Sequence, residues 1–481
     1  MSGSSRTPSV AALLTVGALL AACAVGPDYK GPPQAAPLST AAGRFQRSAQ
    51  IESLPGPPAA RWWEALNEPE LSRLIDQALA DSPTVREAQA RVRAARASLG
   101  ATRAALLPNG GAAAFQASAR IPKNALGGLT GVAPGGVPRN VDIYSAGFDA
   151  LWELDVFGGT RRAIEAAGAE AGAQQAQLQD AQVELSAEVA QAYVNLRDTQ
   201  ARLRLAQDAV ALQQRTLDLT RQRRAVGAAA DGDIERVRTD LEQSQAEIPS
   251  LEGLIQQITD QIAVLTGREP GALDVELAAS ATIPKPPAAT PIGDPAALLR
   301  RRPDIRAAER RLAASSARIG QNVAELFPKV TLFGDIGFSA TSGDLFKSGN
   351  FGAIGGPSLT WNLFSFPRLQ ARVRGAEADR DAVQAHYEGV VLAALEDAET
   401  SLTRYGHQRQ SLAALARAEA SAVVAAELTS RRYQGGTASL IDVLDAQRRQ
   451  IQARRAVADG QAQLVNDYVA LQKSLGLGWA A

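Results

Sequence analysis

Cys23 is the residue whose position alone suggests covalent chemistry. It is the single cysteine of the 481-residue chain and follows Leu20-Ala21-Ala22. Arg6, the apolar stretch Val10 to Leu20 and these small residues are the parts of an export signal, too short to span a bilayer, so residues 1–22 are expected to be removed. Catalysis finds no comparable support. His386 and His407 stand alone on one long segment, no glycine-rich phosphate loop follows a strand, and no Ser/His/Asp set assembles. One Cys, two His and one Met leave no material for a disulfide framework, a Cys/His metal cluster or a methionine path. Neither an enzyme, a cofactor nor a metal is therefore expected. Lys+Arg and Asp+Glu balance at 50 each, so no basic surface draws the chain to nucleic acid.

The other residues of chemical interest sit at turns. Arg221, Arg223 and Arg224 precede one glycine-bearing turn, and Arg431, Arg432 and Tyr433 precede another. Their guanidinium groups either complement a helix dipole or pair with Asp442 or Asp445. Ile441 and Asp445 are four apart and share one helix face. Gly227 and the Gly435-Gly436 pair are placed to end helices in the left-handed conformation. Asp233 and Asp442 begin the helices that return.

The elements that carry these residues occur twice. Ser82-Pro83 and Leu107-Pro108 recur 220 residues later as Arg302-Pro303 and Phe327-Pro328. Trp152, Leu154, Phe157, Gly227, Asp233 and Gly267 recur 209 residues later as Trp361, Leu363, Phe366, Gly436, Asp442 and Gly476. One unit has been duplicated, with 11 more residues in the first copy, between Pro108 and Trp152. A period this long is not that of a solenoid.

Each copy opens with a helix, roughly 70–106 and 294–326, ended by proline. A strand hairpin follows. Tyr144, Ala146, Phe148, Ala150, Trp152 and Leu154 alternate with polar or small residues, Leu151 excepted. Val330, Leu332, Ile336 and Phe338 do the same, with Phe333 on the polar side, and Leu359, Trp361 and Leu363 form the return strand. The outgoing strand of the first copy, Gly110 to Arg120, is alanine-rich. Such alternation over ~10 residues suits a membrane barrel strand or a half-buried hairpin. The connections, 121–140 and 341–354, are Gly/Pro/Ser-rich. Next come two spans of 68 residues, Gly159 to Val226 with no proline and Pro367 to Gln434 with none after its first residue, each ~100 Å long if helical. Val189, Leu196, Leu203, Val210 and Leu217 recur every seven residues, as in a coiled-coil seam. The returning segment from Ile234 to Leu265 repeats apolar residues by threes and fours, and Pro249 must kink it or break one bond. Tight tips at 224–233 and 433–442 join antiparallel helix pairs.

Four strands cannot close a barrel, and an open edge cannot face lipid. Several chains must contribute strands. Two would give eight, a filled interior; three would give twelve and a lumen.

Two resemblances follow from these residues. Leu20-Ala21-Ala22-Cys23 resembles the lipobox of bacterial lipoproteins, which implies that Cys23 becomes the first mature residue, carrying a diacylglycerol thioether and an acylated amine; Ala24 after it implies sorting to the outer membrane. The Cys23-Ala-Val-Gly26-Pro27-Asp28-Tyr29 start, the Trp62-Trp63-x3-Asn67-x-Pro69-x-Leu71-x2-Leu74-Ile75-x2-Ala78-Leu79-x2-Ser82-Pro83 run and Arg432-Tyr433-x2-Gly436-x5-Asp442-Val443-Leu444-Asp445-Ala446-Gln447 resemble the outer-membrane factor lipoproteins of resistance-nodulation-division efflux systems, the nodulation-protein-T-like branch. The resemblance covers 23–478. It implies a mainly α fold with a membrane β-hairpin pair, a homotrimer with a twelve-stranded barrel and an α-helical tunnel, and docking to a periplasmic adaptor and an inner-membrane pump. It implies that Ile441, Asp445 and Asp442 with Arg431, Arg432 and Tyr433 form a gate, that Gly227, Asp233, Gly435 and Gly436 lie at adaptor-contacting tips, and that Trp152 and Trp361 are barrel-base aromatics facing outer-membrane lipid. The first tip departs from the pattern: it is alanine-rich, with Ala225 read at the tyrosine position. The rival reading is a periplasmic coiled-coil scaffold lipoprotein without a pore. The expected division is a signal peptide (1–22), a lipidated tether (23–60), a helix (61–108), a barrel hairpin (109–157), a tunnel helix pair (158–266), an equatorial linker (267–293), a second helix (294–328), hairpin (329–366) and helix pair (367–476), and a tail (477–481).

Replacing Cys23 by Ser should abolish acylation while leaving strands and seams intact. Metabolic labelling with palmitate checks it: label lost from the Ser variant identifies the anchor, and label retained removes Cys23 from that role.

Overall fold

The computed structural model describes residues 24–48, 53–54, 56, 59–120, 140–341 and 343–479. Cys23, the signal segment and residues 121–139 of the first connection lie outside the described residues. The helices are α1 (Pro37–Ala42), α2 (Pro69–Asp81), α3 (Pro83–Ala104), α4 (Gly159–Ala225), α5 (Asp231–Leu265), α6 (Asp274–Leu277), α7 (Pro295–Arg301), α8 (Pro303–Ala324), α9 (Phe366–Gln434) and α10 (Leu440–Ser474). The strands are β1 (Ser53–Leu54), β2 (Asn109–Arg120), β3 (Asn140–Leu154), β4 (Thr290–Pro291), β5 (Lys329–Ala340) and β6 (Phe351–Thr360). Each helix read as opening a copy is in fact two. Ser82 and Arg302, at ψ 134 and 123, are extended, because a residue that precedes proline is pushed out of the helical region. The last strand also differs from expectation. It starts at Phe351 and ends at Thr360, so Trp361 and Leu363 lie beyond it, Leu363 in a short 3-10 turn to Ser365.

The described residues divide into two compact units, one drawn from 24–32, 93–172 and 309–385 and one from the remaining described residues. The first holds the antiparallel sheet β2-β3-β5-β6. Register fixes its two faces. On one face Leu154, Trp152, Phe148 and Ala146 of β3 stand opposite Val330, Leu332, Ile336 and Phe338 of β5, an apolar surface throughout. The other carries Glu153, Asp149 and Ser145 opposite Thr331, Asp335 and Ser339, with Lys329 3.6 Å from Glu153. Leu151 and Phe333, the two residues that broke the alternation on separate strands, are direct partners on this polar face. At the sheet's helical end the Trp152 indole N–H donates to the Leu106 carbonyl at 2.9 Å, and that of Trp361 to Leu326 at 3.1 Å. Both acceptors lie just past a helix C-terminus, where carbonyls lack helical partners. The duplicated tryptophans thus tie each return strand to the end of the preceding helix.

The start of the described chain is held in the same unit. Val25 N–H donates to the Phe157 carbonyl, and the Arg162 guanidinium donates to the Val25 carbonyl at 3.2 Å and to the Asp28 carboxylate at 2.5 Å. Gly26, at φ +91, passes so close to Gly320 that a Cβ there would stand 2.4 Å from the Gly320 Cα. A Cβ on Gly320 would instead press on the Arg162 side chain at 2.9 Å.

The second unit is helical. Val189, Leu196 and Leu217 of the heptad seam are buried, and Leu203 and Val210 half-buried. α5 runs unbroken through Pro249, whose ring lies on the exposed side, where the missing donor costs least. Trp62 and Trp63 are buried edge to face at 5.7 Å, and Trp62 meets Tyr468 at 6.1 Å. Arg197, 2% exposed, donates to the Ala279 carbonyl at 2.7 Å, to Gln200 and to Glu70. A second charged cluster gathers Asp180 and Glu184 of α4 with Arg302, Asp304 and Lys473 around a cavity of about 340 Å³. Arg302 pairs with Asp304 at 2.7 Å and donates to the Ser474 carbonyl at 2.8 Å.

Burial, reinforced by the Asp304 and Glu184 carboxylates and opposed by Arg302 and Lys473, pushes the Asp180 carboxyl up to about 6. A native pKa above the unfolded value means that this group favours folding below pH ~4 and that the contribution is lost as pH rises through 6. Asp180→Asn should therefore stabilise the protein by up to about 3 kcal/mol at pH 8 and leave it unchanged near pH 4. Thermal melts of detergent-purified protein at the two pH values check this; equal shifts at both would place the effect elsewhere.

Candidate functional site

The two tips end their ascending helices in the same way. Gly227 and Gly436 have φ of +75 and +76, which only glycine adopts without strain. Gly227 N–H donates to the Arg224 carbonyl and Ala228 N–H to Arg223; Gly436 N–H donates to Tyr433 and Thr437 N–H to Arg432. These are the two bonds of a Schellman cap. They also correct the expected alignment: Arg224, not Ala225, holds the place of Tyr433. Gly435 keeps a helical bond to the Arg431 carbonyl at 3.0 Å, has no positive φ, and corresponds to Val226 in the first tip.

The descending helices start differently. Ser439 Oγ accepts the Asp442 N–H at 3.2 Å while the Asp442 carboxylate accepts the Ser439 N–H at 2.9 Å, a complete capping box. Asp233 accepts the Ala230 N–H at 3.1 Å, but Ala230 has no side-chain oxygen, and only its backbone carbonyl takes the Asp233 N–H, at 3.1 Å. The Ser439 N–H and hydroxyl, with a smaller contribution from Arg432, hold the Asp442 carboxyl below its ordinary value. The serine three residues before the aspartate was the sequence signal for this cap.

Beneath the turns lies a small apolar core of Leu217, Val237, Leu241, Tyr433, Leu440, Val443 and Leu444. Tyr433 is therefore a core residue, and Arg223 covers its ring at 4.1 Å while donating to its carbonyl at 3.0 Å. The arginines do not pair with Asp442 or Asp445 within the chain. Arg224 makes two bonds to Asp231, at 2.7 and 3.1 Å, which hold that carboxyl below its ordinary value. Arg221 meets Asp218 at 3.5 Å, Arg431 pairs with Glu427 one turn back, and Arg432 reaches the Thr437 carbonyl. Arg221 and Arg431 thus find partners one turn back on their own helices, toward which a last-turn side chain leans, while Arg224 and Arg432 reach into the turn.

Ile441, Asp445 and Arg448 form one exposed stripe along α10, with Ile441 53% exposed. Arg448, not foreseen from sequence, lies 4.0 Å from Asp445 and 2.7 Å from Asp240 of α5, which is 9% exposed. Seven residues on, Arg455 pairs with Glu247 at 2.5 Å. Both steps run in one direction, so α5 and α10 are parallel and joined by an ion-pair ladder. The spacing from Asp445 to Arg448 was visible, whereas Asp240 is distant in sequence. In the first copy the stripe positions are Gly232, Arg236 and Thr239, so only the second tip presents an apolar residue beside a carboxylate. Trp152 and Trp361 belong to the sheet unit as described, and Cys23 lies outside the described residues.

The sequence model of the family described as "Outer membrane efflux protein" matches residues 74–268 and 295–477, the two copies in turn. Outer membrane protein OprJ of Pseudomonas aeruginosa is 32% identical over 98% of this chain and 96% of its own length. Nodulation protein T of Rhizobium leguminosarum bv. trifolii is 29% identical over 96% of each chain. The solved outer-membrane channel OprN superimposes with a TM-score of 0.88 at 37% identity, over 95% of this chain and 100% of that one. Matched along both copies, in sequence and in fold, the chain belongs to the outer membrane efflux protein family.

Proposed function

We propose that three copies of this chain close a twelve-stranded barrel in the outer membrane, that their long helices enclose a periplasmic tunnel, and that efflux substrates cross it passively. One observation carries the reading. The sheet of each chain ends in two open edges, β2 of 12 residues and β6 of 10, next to an apolar face that lipid would cover. Their backbone groups would go unsatisfied in hydrocarbon unless each β6 joins the β2 of another copy. Eight strands give a filled interior and twelve leave a lumen. Acyl chains on Cys23 would add an anchor, since stable attachment takes more than one chain.

The tips are the proposed docking surface for an adaptor that couples the channel to an inner-membrane pump. Gly227, Asp233, Gly435 and Gly436 shape that surface. The stripe of Ile441 and Asp445 would line the closed aperture, where three copies bring like charges together and an apolar ring excludes water. Arg448 holds the Asp445 face against α5 through Asp240. Asp442 starts the helix.

Light scattering corrected for detergent should give a trimer; a monodisperse monomer would sink both barrel and tunnel. In planar bilayers, Ile441→Ala with Asp445→Ala should raise single-channel conductance at least about twofold without loss of the trimer. Unchanged conductance would move the constriction elsewhere. Asp442→Ala should leave conductance alone, weaken the start of the helix by removing half of its capping box, and lower cellular efflux through weaker adaptor coupling. A gain in conductance from that variant alone would reassign Asp442 to the aperture.

A further inference from the structure

The lumen-facing side of the sheet follows from composition: the continuous apolar face suits lipid, so the face bearing Glu153, Thr331, Asp149, Asp335, Ser145 and Ser339 turns inward. Large apolar side chains are out of place there. Phe115 and Ile354 have a polar residue as direct partner on a neighbouring strand, Ser145 and Asp335, and Ile143 stands opposite only the small Ala117. Leu151 and Phe333 are different, because the register sets them directly opposite each other on β3 and β5. They come from different copies of the repeat and are not duplicates of one another, so the pairing does not follow from the duplication. Leu151 is 55% exposed and Phe333 39%, while Asn109 and Gly356 flank them in the same row without covering them. One step along both strands, about 7 Å away, the next pair on this face is Asp149 and Asp335, both exposed carboxylates.

We infer that Leu151 and Phe333 form an apolar contact patch on the barrel's inner wall, one per chain and three at equal height, that retains passing solutes with an apolar body. The neighbouring carboxylates set the charge of the occupant: an organic cation can lay its apolar part on the pair and its charge beside Asp149 and Asp335. A purely hydrated ion gains only from the charge. The patch is then a specificity element distinct from the tips, and it rests on the trimeric channel proposed above.

The test uses the full-length trimer in planar bilayers carrying potassium chloride, with tetramethylammonium and tetrabutylammonium as probes of equal charge and different apolar area. Tetrabutylammonium should reduce the current at concentrations about tenfold lower than tetramethylammonium. Leu151→Thr with Phe333→Thr should erase that preference while leaving potassium chloride conductance equal or higher. Should the double variant fail to assemble, each single variant should lose part of the preference, and Phe333→Leu, which stays apolar, should keep most of it. Unchanged preference in the Thr variants overturns the patch even though the channel conducts. Absence of any conductance from wild-type trimers overturns the channel reading instead, so the two failures are distinguishable.

Discussion

Everything in this protein that faces lipid depends on where the backbone hydrogen bonds of β2 and β6 go. A strand edge in water is merely a hazard, because solvent takes up its N–H and C=O groups. In hydrocarbon no such partner exists, and each orphaned group costs several kilocalories per mole. A row of 10 to 12 residues therefore cannot be left open. The penalty exceeds the whole stability of an ordinary domain. Assembly is in this sense a condition for the sheet to exist in a membrane, and the division into apolar and polar faces has meaning only once the ring is closed.

Duplication supplies the parts cheaply but does not keep them alike. Both copies retain what geometry demands: a tryptophan bonded to a helix-end carbonyl, a left-handed glycine and an aspartate at the third helical position. They differ in the side chains around those points. Ser439 completes a cap that Ala230 leaves half made, Tyr433 fills a core where Arg224 reaches Asp231, and Ile441 and Asp445 replace Gly232 and Arg236. The backbone constraints are shared because any chain turning there meets them. The surface chemistry is free to diverge, and on this stripe only the second copy sets an apolar residue beside a carboxylate.

The long helices and strands were legible because their periods, near 3.6 and 2, are set by the backbone and survive any tertiary context. The helix breaks at Ser82 and Arg302 were legible in principle from the prolines that follow, but a single helical span absorbed them. The end of β6 was misplaced because Trp361 continues the alternation although its indole is already committed to Leu326. Register was not legible at all. Alternation says which face a residue occupies and never which residue lies opposite, so Leu151 and Phe333 read as two separate defects until β3 met β5. Arg448 was hidden for the same reason, since its partner Asp240 lies on another helix.

The segment after Cys23 is part of the folded sheet unit. A flexible linker would let the acyl chains and the sheet enter the membrane independently. Here the chain is fixed within a few residues of the cysteine. Val25 is bonded to Phe157 at the end of the first hairpin, and the Arg162 side chain, 6% exposed, holds Asp28 and the Val25 carbonyl. The Gly26 backbone passes so close to Gly320 that a Cβ on Gly26 would stand 2.4 Å from the Gly320 Cα. An anchor on Cys23 would thus be attached to the sheet unit itself, only two residues from Val25. Acyl chains there would enter the bilayer at the level of the strands, and the entropy of ordering the chain between them would already be spent in folding.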